Sequence, residues 1–256
     1  MSQENFRIIA RLDIKGPNLI KGINLEGLRI IGNPNQFAYE YYKDGIDEIV
    51  YIDSVASLYG RNNLMEVIKK TVKDIYVPIT VGGGVRSVED ARQILRYGAD
   101  KIAVNTAAVK NPKLIQDLAN EFGSQCIVSY IEAKKTSSAT WQVYVENGRQ
   151  PTDYEVKDWA IKCQSLGAGE ILLTSIDKEG TGSGFDIDLN FEVSSSVDIP
   201  VIASGGMGTI EHILNLHENS NVSAVAMADV LHYKKLSIHD IRNQLSTQGI
   251  NVRTYA

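Results

Sequence analysis

The sequence predicts an α/β fold: a single closed (β/α)8 barrel, a TIM barrel, made of two similar halves. Three observations point there. Eight short β-rich runs recur between longer helical patterns, several of them apolar on both faces, as strands of a parallel sheet covered on both sides must be. The chain also echoes itself at roughly half its length. Its 256 residues fit one barrel of this kind, because α/β barrels reach such a size as one unit. An open doubly wound sheet, the main alternative, ordinarily has fewer strands.

The runs follow in order. "FRIIARLD" opens the series and ends on Asp13, and "DEIVYID" ends on Asp53. "IYVPITV" leads into the glycines of "VGGGVRS", Gly82 and Gly83 among them. A helix over "SVEDARQILRYGAD" has Ser87 as N-cap, Glu89 and Asp90 in its first turn, and a stop at Gly98. "DKIAVN" ends at Asn105 and Thr106, and "NPKLIQDLANEFG" is a helix with Asn111 before Pro112 at its first position and a stop at Gly123. "QCIVSYIE" delivers Glu132, "GEILLTS" delivers Thr174, "IPVIASG" leads to Gly205 and Gly206, and "VSAVAMA" ends at Ala228 and Asp229.

The repeat pairs "ITVGGGVRSVEDARQIL" with "VIASGGMGTIEHILNL" and "RLDIK" with "IEAKK". It divides one domain over 1–256 into half-barrels of roughly 1–122 and 123–256, with no linker between them. What the first half binds, the second is expected to bind in a mirrored way.

Composition narrows the function. Lys+Arg 26 against Asp+Glu 31 gives a formal charge of -5 with scattered basic residues, which argues against nucleic acid as a partner. Cys126 and Cys163 form no C-x-x-C, so no disulfide framework and no zinc site are expected. Nothing calls for a cofactor or a metal. The N-terminal apolar run is too short for a signal peptide and no stretch approaches a membrane span, so a cytoplasmic protein is expected.

The two glycine loops each follow a strand and precede a helix, where bare backbone N–H groups can approach an anion. Tight βα turns explain either loop alone equally well, and it is their symmetric placement that favours a ligand with a phosphate at each end. Asp229 opposes this in the second half: either its carboxylate points away or that half takes no phosphate. Acids cluster at strand ends, namely Asp13, Asp53, Glu132 and Asp177, with Glu179 and Gly180 in the loop "DKEGTGSGFD". In a barrel such positions surround the active site. Asp13 and Glu132 occupy equivalent positions in the repeat and face each other across the mouth, where opposed carboxyl groups can divide into general acid and general base. The plainer reading makes each a solvated residue or helix cap. Lys21 is a candidate cation for holding substrate. At the opposite strand ends, Arg7, Glu48, Lys101 and Glu170 are either solvated or a salt-bridged ring closing an axial path. His212, His217, His232 and His239 lack ligand spacing and are expected to be structural.

"LDIK…KGINLEGLR", "ITVGGGVRSVEDAR", "ADKIAVNTAAVKNP", "GAGEILLTSIDKEGTGSGFD", "IPVIASGGMG" and "QGINVR" resemble the cyclase subunit of imidazole glycerol phosphate synthase over essentially the whole chain. The resemblance implies a barrel paired with a glutaminase, whose ammonia crosses the barrel to a bisphosphorylated ribulosyl aminoimidazole carboxamide nucleotide. It further implies Asp13 and Glu132 as the catalytic pair, with glutamate where the family has aspartate. Lys21, Asp53, Gly82, Gly83, Asn105, Thr106, Thr174, Gly205 and Gly206 match substrate-binding positions, and Arg7, Glu48, Lys101 and Glu170 match the ammonia gate. Departures gather at the mouth: Arg11 replaces a cysteine, Glu179 an aspartate and Asp229 a phosphate-contacting serine. An intact ammonia gate with an altered mouth suggests a specialised paralogue, and "RLDIK" and "IEAK" resemble the glycosyl amidation-associated branch of the family. That branch implies a second function, an ammonia conduit serving a sugar amidotransferase. A phosphate-sugar isomerase is a more distant alternative.

Overall fold

The computed structural model describes residues 5–55, 64–137 and 140–254; expectations for the remaining residues, including the extreme N-terminus, lie outside them. Each predicted apolar run becomes a strand: β1 (Arg7–Lys15), β4 (Glu48–Asp53), β5 (Ile79–Gly82), β6 (Lys101–Val104), β7 (Ile127–Ser137), β10 (Glu170–Ser175), β11 (Val201–Ser204) and β12 (Ala224–Met227). Every neighbouring pair among these is parallel, and the ring is closed by β7 against β10, where Glu132 stands beside Thr174. The result is the predicted eight-stranded (β/α)8 barrel.

Period-two alternation sorts the strand residues into two apolar sets. Ile9, Val50, Ala103, Val128, Leu172 and Ile202 pack together inside the barrel. Their sequence neighbours join the larger cluster between barrel and helices. A barrel of this kind is a packed core rather than a pore, and the inward residues of successive layers set what meets at its two ends.

The helices begin and end where the capping residues say. Ser87 accepts from the Asp90 N–H at the start of α3 (Val88–Arg96), counting α1 as Pro34–Lys43 and α2 as Leu64–Thr71. At its far end Gly98 takes φ 108°, and a Cβ there would lie 2.7 Å from Val72 Cγ1. Two boundaries moved slightly. The third barrel strand starts at Ile79, since Pro78 has no N–H to give a ladder. The helix expected to begin at Pro112 runs Lys113–Phe122, with Pro112 as its N-cap at φ -57°.

Two antiparallel hairpins were not anticipated. β2 (Asn18–Ile23) and β3 (Glu26–Gly32) extend β1, while β8 (Thr140–Val145) and β9 (Gln150–Glu155) extend β7. They lean over the C-terminal mouth and meet there, with Asn147 Nδ2 donating to the Leu25 carbonyl at 3.3 Å. Both turns need left-handed backbone: Asn24 and Leu25 in one, Glu146, Asn147 and Gly148 in the other.

Candidate active site

Asp13 and Glu132 come from opposite sides of the barrel, and both are buried. Between them lies Arg11, fully buried on β1 two residues before Asp13 and therefore on the same inward face. Its Nε donates to Asp13 Oδ1 at 3.0 Å, its Nη1 to Thr174 Oγ1 at 2.7 Å and Ser204 Oγ at 3.1 Å, and its Nη2 to Tyr130 Oη at 2.9 Å. Tyr130 in turn donates to Glu132 Oε1 at 2.9 Å. The second oxygen, Oε2, accepts from Asn105 Nδ2 at 3.0 Å and from the Gly148 N–H at 2.9 Å.

Burial governs the electrostatics. It pushes the Glu132 carboxyl up to about 6, against the Gly148, Tyr130, Arg11 and Asn105 interactions that favour the anion. Burial likewise raises the Tyr130 hydroxyl well above its ordinary range, so it stays a donor. For Arg11 burial opposes the charge, but Asp13, Tyr130 and Glu179 more than reverse it. Lys21 and Glu179 form a buried ion pair. There burial works to raise the Glu179 carboxyl, and the Lys21 and Arg11 cations overcome it and leave it lowered.

A cavity of 380 Å³ opens beside Glu132 on the first half of the barrel. Its walls bring together Asp53, Gly83, Asn105, Thr106, Arg86 and Lys110. Asn105 Oδ1 is buried with no partner among the described residues, which leaves an acceptor at the cavity wall. Asp53 Oδ1 accepts from the Val55 N–H at 3.0 Å. Gly82 and Gly83 are held to glycine by close neighbours: added Cβ atoms would lie 2.7 Å from Ile52 Cδ1 and 2.5 Å from the Asp53 carbonyl oxygen. Thr106 spends its hydroxyl on the Glu146 N–H at 3.0 Å, which pins the second hairpin.

The remaining candidates sit elsewhere. Gly205 and Gly206 both have positive φ, and a Cβ on Gly206 would lie 2.0 Å from the Gly184 carbonyl oxygen, so the turn is built for backbone-on-backbone packing. Gly180 packs in the same way on Gly22. Ala228 precedes the short helix Asp229–His232 as its N-cap, and Asp229 is ion-paired with Lys235. Asp177 accepts from the Lys135 N–H at 2.9 Å and so anchors the end of β7. Thr174 is fully buried under Arg11. His232 is buried, 2.6 Å from Tyr41 Oη, and burial pushes it down to about 3. Tyr130, Arg86 and Lys110 were not singled out in the sequence. For Tyr130 the signal was its two-residue offset from Glu132 on one strand.

At the other end of the barrel the four charged residues form a closed ring. Arg7 reaches Glu48 and Glu170 at 2.6 Å each, and Lys101 reaches the same two carboxylates at 3.1 and 2.8 Å. Burial opposes both cations, and Glu170 and Glu48 outweigh it, raising Arg7 and Lys101 alike.

A model of the family described as "Histidine biosynthesis protein" matches residues 7–237. The chain belongs to this family. It is similar to the imidazole glycerol phosphate synthase subunit HisF of Legionella pneumophila, 63% identical over 207 residues that cover 81% of this chain and 98% of that protein. The same-named subunit of Bacillus cereus strain G9842 is 45% identical over 247 residues, 96% of this chain and 98% of its own length. That of strain Q1 has equal identity and coverage. Among the described residues, no helix is long and apolar enough to cross a membrane.

Proposed function

We propose that the chain is the cyclase subunit of an imidazole glycerol phosphate synthase, receiving ammonia from a glutaminase partner and using it at the mouth on a bisphosphorylated ribulosyl aminoimidazole carboxamide nucleotide. The observation that carries this reading is the pair of buried carboxyl groups, Asp13 and Glu132, held on opposite strands, with Glu132 at the wall of a 380 Å³ cavity.

The chemistry asks for such a pair. When ammonia condenses with a carbonyl carbon, two protons must leave the nitrogen and two must reach the oxygen, which departs as water and leaves an imine. A carboxyl group near 6 is poised to do either at neutral pH, and that is where burial puts Glu132. Asp13, paired with the Arg11 cation, supplies the second carboxyl group on the opposite side. Arg86 and Lys110 at the cavity wall, with the glycine loop at Gly83, are suited to one phosphate group. In the second half the corresponding groups are Gly205, Gly206, Ala228 and Asp229, where Lys235 answers the Asp229 charge. Lys21 joins the site if substrate draws it from Glu179. The ring of Arg7, Glu48, Lys101 and Glu170 is the entrance that ammonia from the partner would cross. One barrel with half-barrels of roughly 1–122 and 123–256 accounts for the matched carboxylates.

The conduit reading, in which ammonia passes on to a sugar amidotransferase, draws support from Asp229; Arg11, whose side chain lies across the interior between entrance and mouth, must let ammonia pass in either reading. Turnover of the nucleotide by the purified chain in saturating ammonium salt separates the two. Product formation that is lost in Glu132→Gln supports the cyclase; no product from a chain that still binds and activates a glutaminase overturns it.

A further inference from the structure

Arg11 and Tyr130 hold matching places in the two halves, each two residues before a mouth carboxylate and on the same face of its strand. Their side chains meet across the barrel. The guanidinium binds Asp13 on its own strand, Thr174 on β10, Ser204 on β11 and Tyr130 on β7, so one planar group ties four strands together. It also lies over the Tyr130 ring, 5.3 Å from the centroid. A fork of several N–H donors can do this, whereas a point charge cannot. The hydroxyl of Tyr130 completes a continuous chain from Asp13 through Arg11 and Tyr130 to Glu132.

We propose that Arg11 and Tyr130 are positioning residues that join Asp13 and Glu132 into one acid–base unit, fixing the orientation of both carboxyl groups and the proton affinity of Glu132 for its reaction.

Three features support this. Both bridging residues are buried, Arg11 completely and Tyr130 to 4% exposure, so the hydrogen bonds act where water does not compete. Glu132 Oε1 has Tyr130 as its hydrogen-bond donor, while Oε2 is held by Asn105 and Gly148, so rotation of the carboxyl group breaks all three bonds. And a cation this deep would be costly without the acids it serves. Among the described residues, the groups facing Glu132 are few. They are Tyr130 on its own strand, Arg11 with Asp13 from β1, neutral Asn105 from the end of β6, neutral Thr174 from β10, and the Gly148 N–H from the hairpin. Farther out are the Lys21–Glu179 pair and the rim pair Lys110–Glu146.

This inference rests on Glu132 being the acid–base group of the proposed reaction, and its test reads the carboxyl directly as well as through turnover. Protein labelled with ¹³C at glutamate carboxyls is titrated by NMR, with Glu132→Gln identifying the resonance, for the wild type, Tyr130→Phe and Arg11→Lys. Tyr130→Phe keeps the ring and its packing, so folding is retained. Losing a donor to the carboxylate should raise the Glu132 midpoint by about one pH unit. The pH profile of ammonium-supported turnover should move to higher pH by the same amount, with kcat about tenfold lower at neutral pH and KM for the nucleotide unchanged. Arg11→Lys keeps the charge but not the fork and should give a smaller shift in the same direction. A Glu132 midpoint unmoved in both variants overturns the proposal, whatever the turnover. A midpoint that moves in a protein without nucleotide turnover upholds the positioning role and instead overturns the cyclase assignment.

Discussion

The loops after β5 and β6 and the loops after β11 and β12 carry matching glycine turns, yet they present different charge to the mouth. On the first side Arg86 and Lys110 line an open cavity with Gly83 and Asn105. On the second side a carboxylate, Asp229, stands where the first side has Thr106, with Lys235 folded back onto it. Both sides keep the same backbone solution, positive φ at Gly83 and at Gly205 and Gly206. The difference teaches that the barrel conserves the turn for packing reasons independent of a ligand. Backbone crowding at Gly206 alone requires glycine there, so a glycine-rich loop in this fold is weak evidence for phosphate until the neighbouring side chains are counted.

The comparison can be broken hardest at the two carboxylates. Glu132→Gln, beside the first-side cavity, and Asp13→Asn, on the strand next to β12, should each lower ammonium-supported turnover by about 10² to 10⁴-fold. Steady-state rates of the purified variants measure this, and a large loss from only one of them would mean that the two sides do not share the chemistry.

Stability supplies the next largest effect. The folded-state pKa of Glu132 lies above its ordinary value of 4.5, at about 6. Between those values the folded protein binds more protons than the unfolded chain, so this group's contribution falls as pH rises from 4.5 to 6 and is constant above. The stability of Glu132→Gln relative to wild type should therefore increase by about 2 kcal/mol across that window. Urea midpoints at a series of pH values test it, and a difference independent of pH would contradict the raised pKa.

Charge at the two loops sharpens the comparison further. Asp229→Ser should lower KM for a bisphosphorylated substrate about fivefold, roughly 1 kcal/mol of removed repulsion, because Lys235 already screens part of it. An unchanged KM would mean that no phosphate approaches this side. Lys110→Ala on the first side should raise KM about threefold, a smaller effect because this lysine is largely exposed and paired with Glu146.

Much of this was legible in the sequence. β-branched runs such as "EILLTS" and "EIVYID" could only be strands buried on both faces, and eight of them alternating with helices left little besides a barrel. Asp13 and Glu132 were found by their place at the ends of such runs, and the ring of Arg7, Glu48, Lys101 and Glu170 by their place at the starts. The hairpin over Thr140–Glu155 carries a strong local signal, Asn147-Gly148 between alternating residues, but eight parallel strands account for the barrel without it. The bond from Arg11 to Tyr130 was beyond sequence reasoning for a different reason. Spacing of two says that Arg11 faces the same way as Asp13, but not how far a guanidinium reaches across a closed barrel.

The ring at the barrel floor has one further consequence. Around the strands its charges run positive, negative, positive, negative, from Arg7 to Glu48 to Lys101 to Glu170. Such an arrangement is a quadrupole, and on its central axis the attractions and repulsions cancel by symmetry. A molecule travelling along that axis is neither drawn in nor turned back by the ring's net field, so ammonium gains nothing over neutral ammonia until it leaves the centre line. Any passage along the floor would thus depend on size and on the work of parting these ion pairs, with the buried Arg11 guanidinium met farther up.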